Sequence, residues 1–324
     1  MQINLAMSFN SRYMKYAYVM LTSLLKNKNP KTQIRLFVLH SELGFKDQRA
    51  IKALMESYGD TVEYIFINND FFPPEMPTTI DWSLEIYYRL LIPDLLPEDI
   101  DRVLYIDSDV IVNHPLDELY STSFDGNLIC ACENFGDLNF GKHRKNMFPS
   151  YAESNFVYVN SGLLLLNLRN LREMDVFEKY LEISEKFEYH LEMPDMDLIN
   201  YVHAGQIKIL EKYKYQIFAM QAYGEGVRYE QAKECPIVHY AGHKPWQGGG
   251  IHFDIEKIWW DYAKQTPYYV EFLEQFAVEC ICDPFVYNKV QQLTEEKYLV
   301  QKELNMRKEL CDKLLSMIEN EKAD

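Results

Sequence analysis

Positive charge is what this sequence has too little of: 33 Lys and Arg stand against 49 Asp and Glu, a formal net charge of −16. An acidic surface repels a nucleic-acid backbone and excludes it as a partner, and any anionic substrate must meet its cation locally. Long apolar runs are missing too. Nothing approaches the roughly 18 apolar residues needed to span a bilayer, and the start, MQINLAMSFNSRY, has neither the basic region nor the apolar core of an export signal. A cytoplasmic location is expected. The Gly-x-Gly-x-x-Gly turn and the phosphate-loop lysine motif are both absent, which disfavours a Rossmann dehydrogenase or a phosphate-loop enzyme. Six cysteines (Cys130, Cys132, Cys235, Cys280, Cys282, Cys311) include two Cys-x-Cys pairs, but neither has a matching Cys or His at zinc spacing. Reduced thiols are expected, with Cys130 and Cys132 in LICAC as small buried hydrophobes.

What is present is an ordinary globular balance, 48% hydrophobic and 25% charged over 324 residues, enough for one large domain or two smaller ones. Between Ile3 and Asn68 the pattern runs strand (Ile3–Ser8), helix (Tyr13–Asn27), strand (Gln33–His40), helix (Asp47–Gly59), strand (Thr61–Asn68). That alternation predicts an α/β fold with a parallel sheet flanked by helices, whose ligands bind beyond the carboxyl ends of the strands. A helix is expected at Leu84–Leu91, strands at Val103–Ile106, Asn127–Glu133 and Val157–Leu168, and helices at Met174–His190 and Asp195–Gly205.

The chemistry concentrates in VLYIDSDVIV (Val103–Val112), where a buried strand runs into Asp107 and Asp109. Carboxylates two residues apart at a strand exit can turn toward one cation, whereas buried without one they are costly. Oxygen ligands suit Mg²⁺ or Mn²⁺, and an imidazole shifts the preference to Mn²⁺. His239, in IVHYAGHKPW, is the candidate third ligand. Lys244, in the same glycine-containing loop, is placed to offset a diphosphate. Arg89, in the apolar IYYRLLIP, calls for an anionic partner.

From Val286 an apolar spacing of four and three passes through Val290, Leu293, Lys297, Val300, Leu304, Arg307, Cys311, Leu314 and Ile318, and eight of those ten positions are apolar. This fits a coiled-coil seam and homo-oligomerisation. A helix laid back on the catalytic domain and a helix lying on a membrane surface are the alternatives, the last weakened because 7 basic and 8 acidic residues nearly cancel over 286–324.

The ordered set LAMSFNSRYMKY, YYRLLIPDLLP, RVLYIDSDVIV, YVNSGLLLLNL, DMDLIN and HYAGHKPW, spread over residues 1–265, resembles glycosyltransferase family 8, the group of bacterial lipopolysaccharide and lipooligosaccharide α-glycosyltransferases and glycogenin. The resemblance implies a GT-A fold, a Rossmann-like and mostly parallel sheet flanked by helices, over residues 1–265, followed by a helical C-terminal extension over 266–324. It further implies a retaining transfer of glucose or galactose from a UDP-sugar to a glycan, glycolipid or glycoprotein acceptor in cell-surface polysaccharide synthesis, at the inner face of the membrane.

Residue by residue, Asp107, Asp109 and His239 match the ligands of Mn²⁺ (or Mg²⁺). Ala6, Ser8, Asn10 and Ser108 match nucleotide contacts. Arg89 and Asp107 match contacts to the sugar and ribose. Asn160 and Ser161 match the lining of the donor sugar, Asp195 matches a donor-sugar ligand and fallback nucleophile, and Gly242 and Lys244 match the loop over the phosphates. Asp195, Lys244 and Arg89 are thereby the catalytic candidates.

Three features depart from the family pattern. Ser8, Phe9 and Ser11 replace acidic residues and a tyrosine in the first loop, making Tyr13 a stacking substitute for the base. The loop after His239 is one residue shorter than in many members. Met196 stands where the family has a glutamine considered as a nucleophile, so same-face attack is favoured over a covalent intermediate. The acceptor site is expected in Phe135–Tyr151 and Tyr213–Glu230. Two alternatives stay open, an inactive member that binds sugar nucleotides or scaffolds a pathway, and a haloacid-type phosphohydrolase, disfavoured because Ile111 and Val112 follow the aspartates.

Overall fold

The computed structural model describes residues 1–78, 83–134, 157–249, 252–282, 292 and 294–309. They divide into two compact units, the first comprising Met1–Pro245 with Phe253–Tyr269, the second Trp246–His252 with the chain from Val270 onward.

The first unit is built on ten strands among its described residues: β1 Gln2–Ser8, β2 Gln33–His40, β3 Thr61–Phe66, β4 Arg102–Ile106, β5 Val110–Val112, β6 Ile129–Glu133, β7 Val159–Asn167, β8 Ile207–Leu210, β9 Gln216–Phe218 and β10 Ile237–His239. Seven form one sheet in the order β3-β2-β1-β4-β7-β6-β8. The pairs β1–β2, β2–β3, β1–β4 and β6–β8 are parallel. β7 enters antiparallel to both β4 and β6, so the sheet is mostly parallel, as the alternation implied. Both faces are covered because successive side chains point to opposite sides. Leu5, Met7, Leu104 and Ile106 pack into the core on one face, Ala6, Val103 and Tyr105 into the core on the other. The first face meets the helix Met14–Asn27, whose Ala17, Met20, Leu21 and Leu24 are buried at three-and-four spacing.

The apolar run after Asp109 does not prolong β4. Val110–Val112 leaves the large sheet and becomes an edge of a second, three-stranded sheet ordered β5-β10-β9, pairing antiparallel with β10 so that Val110 faces His239. The Met14–Asn27 helix anchors this departure: Ser23 Oγ accepts from the Val112 amide at 2.9 Å and Asn27 donates to the Val112 carbonyl at 2.8 Å.

The expected helix at Leu84–Leu91 is instead wound as a 3-10 segment that passes into an α-turn at Ile92–Leu95 with Pro93 near its start. Proline lacks the N–H an α-helix would use there and suits a first turn. The result still buries Tyr87, Tyr88, Arg89 and Leu90. The helix expected over Met174–His190 is shorter, Val176–Lys186, and ends before Glu188 and Tyr189, both at positive φ. Cys130 and Cys132 are buried in β6.

In the second unit the Gly248 amide donates to Glu279 at 2.7 Å and the His252 ring lies 5.1 Å from that of Phe276, on the helix Tyr269–Cys282. Residues 294–309 are helical and exposed. Of the seam positions, Lys297, Val300, Leu304 and Arg307 fall on that helix, while Val286, Val290, Leu293, Cys311, Leu314 and Ile318 lie outside the described residues, as does Phe135–Tyr151. Among the described residues no helix is long and apolar enough to cross a membrane.

Candidate active site

The two aspartates sit where the chain changes sheets, and each is held by a different one. The Asp107 amide donates to the Gly162 carbonyl of β7 at 2.9 Å, and the Asp109 carbonyl accepts from the Tyr240 amide just past β10 at 2.9 Å. The sheet switch therefore fixes both carboxylates and brings in His239 from more than a hundred residues away. One ligand atom from each of Asp107, Asp109 and His239 lies within 4.8 Å of the others.

Three observations show that these residues fit a divalent cation. Asp109 Oδ1 is buried and, His239 apart, has no hydrogen-bond partner among the described residues. His239 Nε2 lies 3.2 Å from that same oxygen, near the ~3 Å edge between ligands that octahedral bonds of about 2.1 Å produce. Finally, Gly162 leaves the space that a side chain would fill, since a Cβ there would lie 2.4 Å from His239 Cε1 and 2.6 Å from Asp107 Oδ2. Two oxygens and an imidazole nitrogen suit Mn²⁺ or Mg²⁺.

Cations of the protein surround the trio. Lys244 is ion-paired with Asp109 Oδ2 and donates to the Tyr240 carbonyl at 3.0 Å. Burial would push the Asp109 carboxyl up, but Lys244 and His239 more than offset it and hold it well below the usual carboxylate range. Gly242, with φ +85°, makes the turn that delivers Lys244. On the other side Arg89 is 6% exposed and donates to Asp107 Oδ1 at 2.9 Å, to the Ser161 carbonyl at 2.7 Å and to Ser161 Oγ at 3.0 Å. Its Nε is 3.3 Å from Asp195 Oδ2. Burial opposes the guanidinium charge, yet Asp107 and Asp195 raise its pKa above the ordinary arginine value. Burial in turn pushes the Asp195 carboxyl up, with Arg89 offsetting part of the shift.

The remaining expected residues take distinct places. Asn160 turns inward: its oxygen accepts from the Gly162 amide at 2.8 Å and its nitrogen donates to Asn134 at 3.1 Å. Met196 Sδ lies 3.5 Å from that nitrogen. Ser108 is buried. Ser8, at the end of β1, bonds Tyr105 at 2.7 Å. The Asn10 oxygen accepts from the amides of Arg12 and Tyr13 at 3.1 and 3.3 Å and shapes the turn. Ala6 is fully buried within β1.

In the DMD segment the two aspartates divide their duties. Asp195 faces Arg89, whereas Asp197 is fully buried and accepts from Tyr158 at 2.7 Å and from the Met193 amide at 3.0 Å, anchoring the helix Pro194–Val202. Asn200 fastens that helix to β7 by accepting from the Val159 amide at 2.8 Å and donating to its carbonyl at 2.9 Å.

Two members of the network escape a reading of the sequence. Tyr105, which looks like one more apolar residue of VLYI, donates to Asp107 Oδ1 at 2.9 Å and lies 4.5 Å beneath the Arg89 guanidinium. Strand periodicity, which puts residue 105 on the same face as 107, is the signal that could have found it. Gln216 lies on β9, where no local pattern marks it, with its amide nitrogen 3.1 Å from His239 Nδ1.

Comparison with known proteins gives this geometry a family. The chain is 25% identical over 260 residues to a lipopolysaccharide 1,3-galactosyltransferase of Salmonella typhimurium, covering 78% of this chain and 75% of the relative. It is 24% identical over 258 residues to a lipopolysaccharide 1,2-glucosyltransferase of Escherichia coli, covering 75% and 73%. The solved structure of the galactosyltransferase LgtC, in complex with donor and acceptor sugar analogs, superposes with a TM-score of 0.69 at 22% identity over 82% of this chain and 96% of that one. The shared fold is GT-A. With the model of the Glycosyl transferase family 8 matching residues 4–249, the chain belongs to glycosyltransferase family 8.

Proposed function

We propose that this glycosyltransferase is a retaining hexosyltransferase that moves glucose or galactose from a UDP-sugar onto a glycan, glycolipid or glycoprotein acceptor, with Mn²⁺ or Mg²⁺ held by Asp107, Asp109 and His239. The observation that carries the reading is their convergence, within 4.8 Å of one another, between two protein cations, Lys244 on Asp109 and Arg89 on Asp107. When bound, the metal would neutralise charge gathering on a departing diphosphate.

The chain's own residues supply the rest. Lys244, beyond the left-handed turn at Gly242, brings a second positive charge to the diphosphate. Arg89 keeps Asp107 and Asp195 fixed at one distance from each other, which is positioning rather than proton transfer. Asp195 orients donor-sugar hydroxyls beside Ser161. A covalent route needs a carboxylate or amide beneath the anomeric carbon. Met196 offers neither and packs against Asn160, and Asp195 is engaged with Arg89. Both features support same-face attack, in which a donor phosphate oxygen takes the acceptor's proton. The names of the relatives support a lipopolysaccharide-type acceptor for this chain too, worked on at the inner face of the membrane, and the heptad spacing through 286–318 supports self-association.

A panel of UDP-sugars with and without Mn²⁺, scored by thermal shift and slow hydrolysis, tests this. UDP-glucose or UDP-galactose should stabilise only when Mn²⁺ is present, by ~2.7 kcal/mol at a hundredfold excess over Kd, and Asp107→Ala or His239→Ala should abolish both signals. Undiminished UDP-sugar binding by both variants overturns the reading.

A further inference from the structure

Gln216 is 1% exposed on a strand whose other members, Ile217 and Phe218, are buried and apolar. Its amide carries two different groups. The nitrogen lies 3.1 Å from His239 Nδ1, and the oxygen is buried with no hydrogen-bond partner among the described residues. The parallel pairing of β9 with β10 sets Gln216 beside Ile237, and its side chain reaches along the strands to the histidine. A buried polar group in such a place is retained for a bond it makes, and the bond here is to the imidazole.

That bond decides which ring nitrogen carries the proton. A neutral imidazole has one N–H and one lone pair, and the partner of one nitrogen fixes the role of the other. With the amide nitrogen toward Nδ1, that atom accepts and the proton sits on Nε2, 3.2 Å from Asp109 Oδ1. With the amide oxygen there, Nδ1–H donates and the Nε2 lone pair faces the two carboxylates, as a cation requires. A half-turn about the last side-chain bond exchanges the two states, because oxygen and nitrogen sit on the same carbon. The ring proton leaves Nε2 to water and another joins Nδ1, so the ring stays neutral.

We propose that Gln216 is the positioning residue that sets the His239 tautomer, presenting its oxygen to Nδ1 when a divalent cation is held by Asp107, Asp109 and Nε2, and its nitrogen otherwise. The inference rests on the metal reading above and adds to it a residue that touches neither cation nor donor. Partners of this kind typically alter metal affinity 10–100-fold.

Mn²⁺ titration followed by electron paramagnetic resonance, without nucleotide, is the test. Gln216→Met, which keeps length and removes the bond, should weaken Mn²⁺ binding by about tenfold or more. Gln216→Glu, whose carboxylate can only accept from Nδ1–H, should keep it within about threefold, on the same scale. Parent-like affinity in Gln216→Met overturns the proposal alone. Failure of the parent to bind Mn²⁺, or parent-like binding by His239→Ala, overturns the metal reading and this proposal with it. Should the variants not fold, long-range ¹H–¹⁵N spectra of the ¹⁵N-histidine parent without and with Mg²⁺ decide: a His239 proton on Nε2 without the ion and on Nδ1 with it supports the proposal, and a proton on the same nitrogen in both overturns it.

Discussion

The Lys244 ammonium is paired with Oδ2 of Asp109 while Oδ1 of the same carboxylate is left to His239 Nε2 at 3.2 Å. One aspartate thus serves a protein cation and the candidate metal position together. The two positive charges compete for Asp109, while the proposed reaction sets both opposite a diphosphate. Lys244→Met should therefore raise Mn²⁺ affinity in the absence of nucleotide and lower UDP affinity in its presence. Each change is expected to be about tenfold, ~1.4 kcal/mol, within the range of a charged hydrogen bond. Mn²⁺ titrations with and without UDP read both, and a variant in which the two affinities fall together contradicts the competition.

Tyr105 links both ends of the site, with its hydroxyl 2.7 Å from Ser8 Oγ and 2.9 Å from Asp107 Oδ1. Burial raises its pKa well above the ordinary tyrosine value, with Arg89 opposing, so the phenol stays protonated and can donate. Tyr105→Phe keeps the packing and removes only that donor. UDP-hexose hydrolysis should slow by about tenfold, on the scale seen when partners of metal ligands are lost, with unfolding free energy changed by ~1 kcal/mol. A parent-like rate would show that Arg89 alone orients Asp107.

How far the sequence reached depends on the range of the signal. The strand–helix alternation through β3 was legible because each element carries its own periodicity. The antiparallel entry of β7 and the passage of Val110–Val112 into a second sheet were not, since a short apolar run reads the same in either sheet and either direction. Asp107 and Asp109 stood out as carboxylates at the end of such a run. His239 joined them through its setting in IVHYAGHKPW and the family resemblance, and the structure brings all three together. Gln216 and Tyr105 stayed hidden because their partners lie across strands or two residues on, where composition shows only one more glutamine and one more aromatic. The Met14–Asn27 helix shows the reverse case, read to within a residue because its apolar stripe is local.

Gly162 is required by space rather than by backbone freedom. A Cβ there would come within 2.4 Å of the His239 ring and 2.6 Å of Asp107 Oδ2, closer than van der Waals contact permits, so Gly162→Ala must displace a candidate ligand. Mn²⁺ affinity should fall by about tenfold or more, and stability by ~1–3 kcal/mol as for other overpacked sites. Calorimetric titration with Mn²⁺ beside urea unfolding separates the two effects. Lost stability with retained Mn²⁺ affinity would mean that His239 moves without cost to the cation.

Acid sensitivity should arise away from the site, at His203. The ring is fully buried just past the helix Pro194–Val202, with Nε2 2.7 Å from the Tyr180 hydroxyl. Burial lowers its pKa from 6.5 to about 4, and Lys179 adds to the shift. Between those values the unfolded chain holds a proton that the folded chain refuses, so stability rises with pH across this window. The contribution is complete above pH ~6.5 and is lost as pH falls toward ~4. At ~1.36 kcal/mol per unit it amounts to about 3 kcal/mol in full, of which ~2 kcal/mol disappears between pH 7 and 5. His203→Gln keeps a polar partner for Tyr180 and cannot titrate. Urea unfolding at pH 7 and pH 5 should show the parent losing ~2 kcal/mol more than this variant, and equal losses in the two proteins would place the acid sensitivity elsewhere.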